Sequence, residues 1–248
     1  MSRRRSRARI RKLRRRMFAA AFAAGLILAF LLVFRLRVVV VSGSLHTKPQ
    51  DVTAILLERP GAENTILIKL LNTNRKLERE GFIDSLNTVI ERRDKLRVLV
   101  TERQFVGCIE NEGMFWYFDA AGYAKARAAA RTAGEPIPPV EGLTLRGEPR
   151  IMEALPVLNT KAFSMLAMLR GAVDTDPALL PDRVVFDGSA MTLYYGNITV
   201  LMGNGEKMEL RLKQLRQLMP ELSSGYSGTL HMENYDGSQK GILFDKLE

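Results

Sequence analysis

Residues 17–34, MFAAAFAAGLILAFLLVF, run without a charge and form the longest apolar stretch in the chain. As a helix rising about 1.5 Å per residue they reach about 27 Å, just enough for a bilayer core of roughly 30 Å. A buried core helix would carry a polar stripe, and none is present. A cleaved signal peptide would end in a small-x-small site, whereas Phe34-Arg35-Leu36-Arg37 follows directly. The pattern predicts one uncleaved membrane anchor. Later apolar runs, such as 38–41, are only strand-sized.

Beyond the anchor the period changes. Val38-Val39-Val40-Val41 is continuous and β-branched, which predicts a buried strand ended by Ser42-Gly43-Ser44. Thr47 can cap a helix with Pro49 in its first turn and Val52, Ile55 and Leu56 as its apolar stripe, stopped by Pro60-Gly61. Residues 66–79 predict a second amphipathic helix, with Leu67, Leu70, Leu71 and Leu77 for burial, ended by Gly81. Strands over 83–91 and 96–102 follow, joined by Arg92-Arg93-Asp94-Lys95. The resulting order, β-α-α-β-β over residues 37–103, is a small sheet covered by two helices.

Residues 104–248 read as a mixed β domain with packed helices. Phe115-Trp116-Tyr117-Phe118 is an aromatic strand entering the turn Asp119-Ala120-Ala121-Gly122. Thr160 can cap a helix over 161–170 that buries Phe163, Leu166 and Leu169. Strands follow around 183–186, 191–195 and 198–202, then a helix over 206–218 with Met208, Leu212, Leu215 and Met219 on one side. Two short strands, 229–233 and 241–245, close the pattern around Tyr235-Asp236-Gly237-Ser238. The fold class expected is α+β.

Charge refines this picture. The chain carries 37 Lys+Arg against 27 Asp+Glu, a net of +10, but residues 1–16 hold ten of the bases (nine Arg and Lys12) and no acid. The remainder is balanced at 27 against 27, so a pI near 9.9 reflects a local tag and a nucleic-acid partner is not expected. A basic tail of residues 1–16 before the anchor places the N-terminus in the cytoplasm and residues 35–248 outside, in contact with the lipid bilayer through residues 17–34.

Candidate chemistry is thin. Cys108 is the one cysteine, which excludes an intramolecular disulfide and a Cys-based zinc cage. It could act as a nucleophile only with His231 beside it, and burial as a small apolar residue is the stronger reading. His46 and His231 lie far apart in sequence without companion ligands. Gly203-Asn204-Gly205 lacks the third glycine of a dinucleotide loop, Met208 standing in its place. Glu110 and Glu112 flank a turn and read as solvated, and Ser164 lies mid-helix without the proline of a signal-peptidase nucleophile. No cofactor, metal or catalytic set is expected.

Several segments, taken in order, resemble the FtsQ/DivIB family of bacterial cell-division proteins. Val39-Val40-Val41-Ser42-Gly43 followed by Thr47-Lys48-Pro49-Gln50-Asp51-Val52 is similar to its strand-Gly-helix opening. Asn64-Thr65-Ile66-Leu67 resembles the start of its second helix, and Leu96-Arg97-Val98-Leu99-Val100-Thr101-Glu102-Arg103 its strand ending in Glu-Arg. Phe118-Asp119-Ala120-Ala121-Gly122 and Pro138-Pro139-Val140-Glu141-Gly142-Leu143 look like the turn and link of its β domain. The chain departs from the family at Arg93-Asp94-Lys95, where a proline is usual.

The resemblance implies a POTRA-type first module and a non-enzymatic scaffold of the division machinery. It implies FtsB/DivIC-like and FtsL-like partners and recruitment or regulation of the septal peptidoglycan synthase complex. An apolar edge strand leaves backbone groups for a partner to pair with. Tyr235, Ile242, Leu243 and Phe244 are therefore the candidate partner-binding residues, although alternation along a strand must turn some of them inward. A membrane-anchored extracytoplasmic enzyme of unknown chemistry remains the alternative.

Overall fold

The computed structural model describes residues 2–72, 75–77, 81–222, 225–238 and 241–247, with backbone alone for 2–13 and 75. Among these residues it is a mixed α+β protein with five α-helices and three sheets. Contacts divide it into two units, Met1–Glu78 with Ile83–Glu102, and Arg79–Phe82 with Arg103–Glu248.

The first unit opens with α1 (Ser2–Val33), which continues the helix back through the basic segment. Its window Arg14–Val33 is long and apolar enough to cross a bilayer, and none of it is buried in the protein. Next come β1 (Val38–Ser42), α2 (Pro49–Leu57), α3 (Thr65–Asn72), β2 (Arg75–Lys76), β3 (Ile83–Arg92) and β4 (Lys95–Glu102). The sheet order is β1-β4-β3-β2, with β1 parallel to β4 and the other neighbours antiparallel. Leu86 and Leu96 from the sheet meet Val52 and Leu56 from α2 and Ile68 from α3. All five are fully buried, and each stabilises the unit by about 1.5–3 kcal/mol.

The valine run is an edge strand and not the buried strand expected: Val38 is exposed and Val39, Val40 and Val41 are half-buried. The second helix also differs. It stops at Asn72, and Leu77 is buried from outside it, while residues 73, 74, 78 and 79 of the expected span lie outside the described residues. Its buried side is Thr65, Ile68 and Asn72; Leu70 is 75% exposed and Leu71 also faces out. The phase is set by Asn64, whose Oδ1 accepts from the amides of Ile66 and Leu67, and by the Thr65 hydroxyl. That hydroxyl lies 2.7 Å from Arg93 O and 3.0 Å from Phe34 O. Burying Thr65 there turns the leucines outward.

Thr47 does not cap α2. Lys48 precedes the helix without a side-chain cap, and Pro49 opens it. The loop before it is organised by Glu102 instead. Its Oε1 accepts from the amides of Leu45 (2.7 Å) and His46 (2.9 Å) and from the Ser44 hydroxyl (3.2 Å), and its Oε2 meets His46 Nδ1 at 2.7 Å. Burial pushes this carboxyl up, but the hydrogen bonds from His46 and Leu45 outweigh it and hold it below its ordinary value.

In the second unit, β5 (Gly107–Asn111), β6 (Met114–Phe118) and β7 (Ala124–Ala128) form an antiparallel three-stranded sheet. Six strands then make a second sheet: β8 (Val140–Glu141), β9 (Arg183–Asp187), β10 (Ala190–Tyr195), β11 (Ile198–Gly203), β12 (Gly228–His231) and β13 (Phe244–Lys246). Its order is β13-β12-β11-β10-β9-β8, with β8 parallel to β9 and β11 parallel to β12. The helices α4 (Lys161–Thr175) and α5 (Met208–Leu222) share one core with it. Thr160 precedes α4 without a side-chain cap, and the helix runs past its expected end at 170 to Thr175. Gly142 takes a φ of +77°, and a Cβ there would overlap Phe186 O, so the link into the sheet requires glycine.

Candidate functional site

The sheet edge at β13 gathers the residues singled out for partner binding. The expected strands 229–233 and 241–245 are displaced and shorter, at Gly228–His231 and Phe244–Lys246. Hence Ile242 and Leu243 lead into β13 and only Phe244 lies within it. The two strands pair antiparallel, Leu230 opposite Phe244 and Thr229 opposite Asp245. The ladder is extended by His231 N donating to Leu243 O (3.0 Å) and Leu247 N to Ser227 O (2.8 Å). By alternation, the backbone groups of Phe244 and Lys246 face the other edge, with which no described strand pairs.

The side chains sort by the same alternation. Ile242 and Phe244 are half-buried against the core, and the Phe244 ring stands edge-on to Tyr226 at 6.1 Å. Leu243, between them, is 62% exposed. Tyr235 is half-buried, its hydroxyl donating to Gln214 Oε1 at 3.3 Å. Tyr235, Ile242 and Leu243 share the walls of a cleft of about 230 Å³ beside the edge. Three of the four thus share one cleft and Phe244 packs against Tyr226, with Leu243 the one that projects and the other three leaning on the fold.

Two devices the sequence reading missed hold this edge. Arg211, only 4% exposed, donates from Nη1 to Met202 O (2.6 Å), from Nη2 to Glu233 O (2.6 Å) and from Nε to Tyr235 O (3.1 Å). Burial lowers its pKa, and the Glu206 and Glu233 charges act in the opposite sense. One guanidinium therefore ties α5 to the end of β11 and to the turn after β12. The signal was present: Arg211 stands between Met208 and Leu212, on the side of α5 that carries its apolar stripe.

The second device is His231. Its Nδ1 lies 2.9 Å from Glu233 Oε1 and its Nε2 3.0 Å from Asp245 Oδ2. Hydrogen bonding to Glu233 raises its pKa; partial desolvation opposes this and the bond to Asp245 adds to it. With a carboxylate at each nitrogen, the ring satisfies both only as imidazolium. Gly228, opposite Lys246, has a φ of +157°, and a Cβ there would overlap Asp245 O, so β13 can approach β12 only because this residue is glycine.

The other chemical candidates occupy core, turn and surface positions. Cys108 is fully buried beside Pro138 O, and burial pushes its thiol up to about 12. Its neighbour Tyr117 donates to Glu135, a buried carboxylate also held by Arg131 Nε (2.6 Å). Asn204 Oδ1 accepts from Glu206 N in the tight turn before α5. Ser164 is exposed and donates to Lys161 O within its own helix, and Glu110 and Glu112 are exposed. His46 and His231 belong to different units. Among the described residues no group of three or more His, Cys, Asp or Glu could hold a metal ion.

No protein-family model matches the chain, and no curated protein matches it.

Proposed function

We propose that the protein is a membrane-anchored scaffold of the FtsQ/DivIB kind, binding partner proteins at the open edge of β13. In this reading α1 is a single span with its basic end in the cytoplasm and residues 35–248 outside. The unit built from β1, α2, α3, β2, β3 and β4 is then a POTRA-type module. The partner contributes a strand that pairs with the outward backbone groups of Phe244 and Lys246, as an FtsB/DivIC-like protein would. FtsL-like proteins and the septal peptidoglycan synthase complex are engaged through that contact.

The open edge itself is the observation that carries this reading. Strand addition draws affinity from main-chain hydrogen bonds and specificity from alternate side chains. The edge offers both, with the backbone of β13 along it and Leu243 projecting next to a cleft. The strand is three residues long and carries Asp245 and Lys246, features that limit indiscriminate pairing and leave Leu243 to select the partner. His231 ties the strand to β12 through Asp245, and Arg211 fixes the turn after β12, which lowers the ordering cost of binding.

A photo-crosslinking residue at Leu243 in the full chain, in dividing cells, tests the proposal. An adduct with a small single-span division protein is expected. If irradiation yields no adduct with any division protein, while the protein is present and folded, the reading is wrong.

A further inference from the structure

The base of α1 is joined to α3 and the β3–β4 hairpin, within the first unit, by a compact set of bonds. Phe34 O accepts from Thr65 N (2.8 Å), Leu36 N donates to Glu63 O (2.7 Å), and Arg37 N and Val38 N donate to Asp94 O (2.9 and 3.1 Å). Thr65, fully buried, also reaches Arg93 O. The tip of the β3–β4 hairpin is therefore pinned against the last turn of the apolar helix.

This junction leaves a cleft of about 240 Å³ lined by Leu32, Val33, Arg35, Arg37, Arg93 and Asp94. All three arginines are exposed, and among the described residues none of them forms an ion pair with a carboxylate. Against them stands the single charge of Asp94, whose carbonyl is occupied by the two backbone bonds. Three cations around one opening, with two apolar residues of the helix as its floor, match a phosphate attached to an acyl chain. The height is right as well: Leu32 and Val33 end the apolar window and the arginines follow it at once, where headgroups begin.

We propose that this cleft binds the headgroup of an anionic phospholipid, its phosphate held by Arg35, Arg37 and Arg93 and its acyl end lying along Leu32 and Val33. The inference rests on the reading of α1 as a membrane span. It goes beyond scaffolding, because a bound lipid would fix how the first unit stands on the bilayer through a site separate from the β13 edge. The Arg93-Asp94 turn thereby has a use of its own.

The test uses the full chain in nanodiscs of phosphatidylglycerol and phosphatidylcholine in equal parts, released and counted by native mass spectrometry. The wild type should retain phosphatidylglycerol in preference. The Arg37→Gln/Arg93→Gln variant, which leaves the backbone bonds of the junction in place, should lose that preference by about tenfold. An Arg146→Gln/Arg183→Gln variant on the second unit should keep it. Equal retention by wild type and the Arg37/Arg93 variant overturns the proposal. So does occupancy by inorganic phosphate alone, in detergent, as tight as by the lipid. Alkaline carbonate extraction of cell membranes separates the failures: a chain that washes off loses both the span and the lipid site, and one that stays but shows no preference loses only the site.

Discussion

His231 Nε2 and Asp245 Oδ2 lie 3.0 Å apart across the β12–β13 pair, and the opposite nitrogen of the same ring meets Glu233 Oε1 at 2.9 Å. The ring is a cross-strand clip that works when charged. Because its pKa in the folded protein is raised above the ordinary 6.5, the stability it contributes is complete below about 6.5. That contribution fades as pH rises through the raised value. The unfolding free energy of wild type relative to His231→Gln should therefore be larger at pH 6 than at pH 9. A difference that does not change between those pH values would show that the clip is not an imidazolium.

Arg211 makes a sharper demand on stability. Replacing it by Met removes a buried charge but leaves the carbonyls of Met202, Glu233 and Tyr235 without their donor. Unsatisfied buried acceptors cost about 1–3 kcal/mol each, offset in part by the cost of burying the guanidinium. A net loss of about 2–4 kcal/mol is expected in urea unfolding, with the 232–235 turn the first region to lose hydrogen-exchange protection. Arg211→Lys should recover only part of this, since one ammonium lacks the planar fork that reaches three carbonyls. Full recovery with Lys would mean that charge alone matters there.

Cys108 gives a prediction about absence of reactivity. A thiol held protonated up to about 12 presents no thiolate at neutral pH, and Cys108 is fully buried as well. A maleimide or disulfide reagent at pH 8 should label the native protein only as fast as the second unit opens, and should label it at once in denaturant. Rapid native labelling would revive the idea of a reactive cysteine.

How much of this was readable beforehand depends on whether a residue acts through its neighbours in sequence or across the fold. Local sequence patterns identified the apolar helix, the β3–β4 hairpin, and the buried stripe of Met208, Leu212, Leu215 and Met219. They failed for α3, where Leu70 and Leu71 look like core residues. Asn64 fixes the helix phase locally, and Thr65 fixes it through contacts with Phe34 and Arg93, about thirty positions away. The expected cap Thr47 failed because Glu102 already organises the loop around Ser44–His46, and Thr160 failed because its own backbone is helical (φ −72°, ψ −19°) where a capping residue is extended. At the candidate site the four apolar and aromatic residues could be named. Their division into three that lean on the core and one that projects needed the true start of β13, which lies three positions later than expected. The place of Arg211 on the apolar side of α5 announced its burial, but its bonds to Glu233 and Tyr235, and that of His231 to Asp245, span 14 to 24 positions, and no local pattern announces those partners.

Gly228 offers a way to separate the β13 edge from the rest of the fold. An added Cβ would meet Asp245 O and crowd the Phe244 ring, so Gly228→Ala can be accommodated only if β13 moves off β12. The cost of such a local displacement is about 1–3 kcal/mol, within what the core of α4, α5 and the inner strands can bear. A fair comparison is Gly188→Ala, at φ +59° in the β9–β10 turn, where an added Cβ meets nothing within 4 Å. That variant carries the left-handed backbone penalty of about 1–2 kcal/mol and leaves β13 untouched. If partner capture depends on the edge, Gly228→Ala should lower crosslinking from Leu243 by more than about fivefold and expose the ladder amides of His231, Asp245 and Leu247 to exchange. Gly188→Ala, of similar stability, should crosslink as the wild type does. Equal crosslinking by both variants would move the partner surface away from β13, and loss in both would tie it to overall stability instead of to the strand.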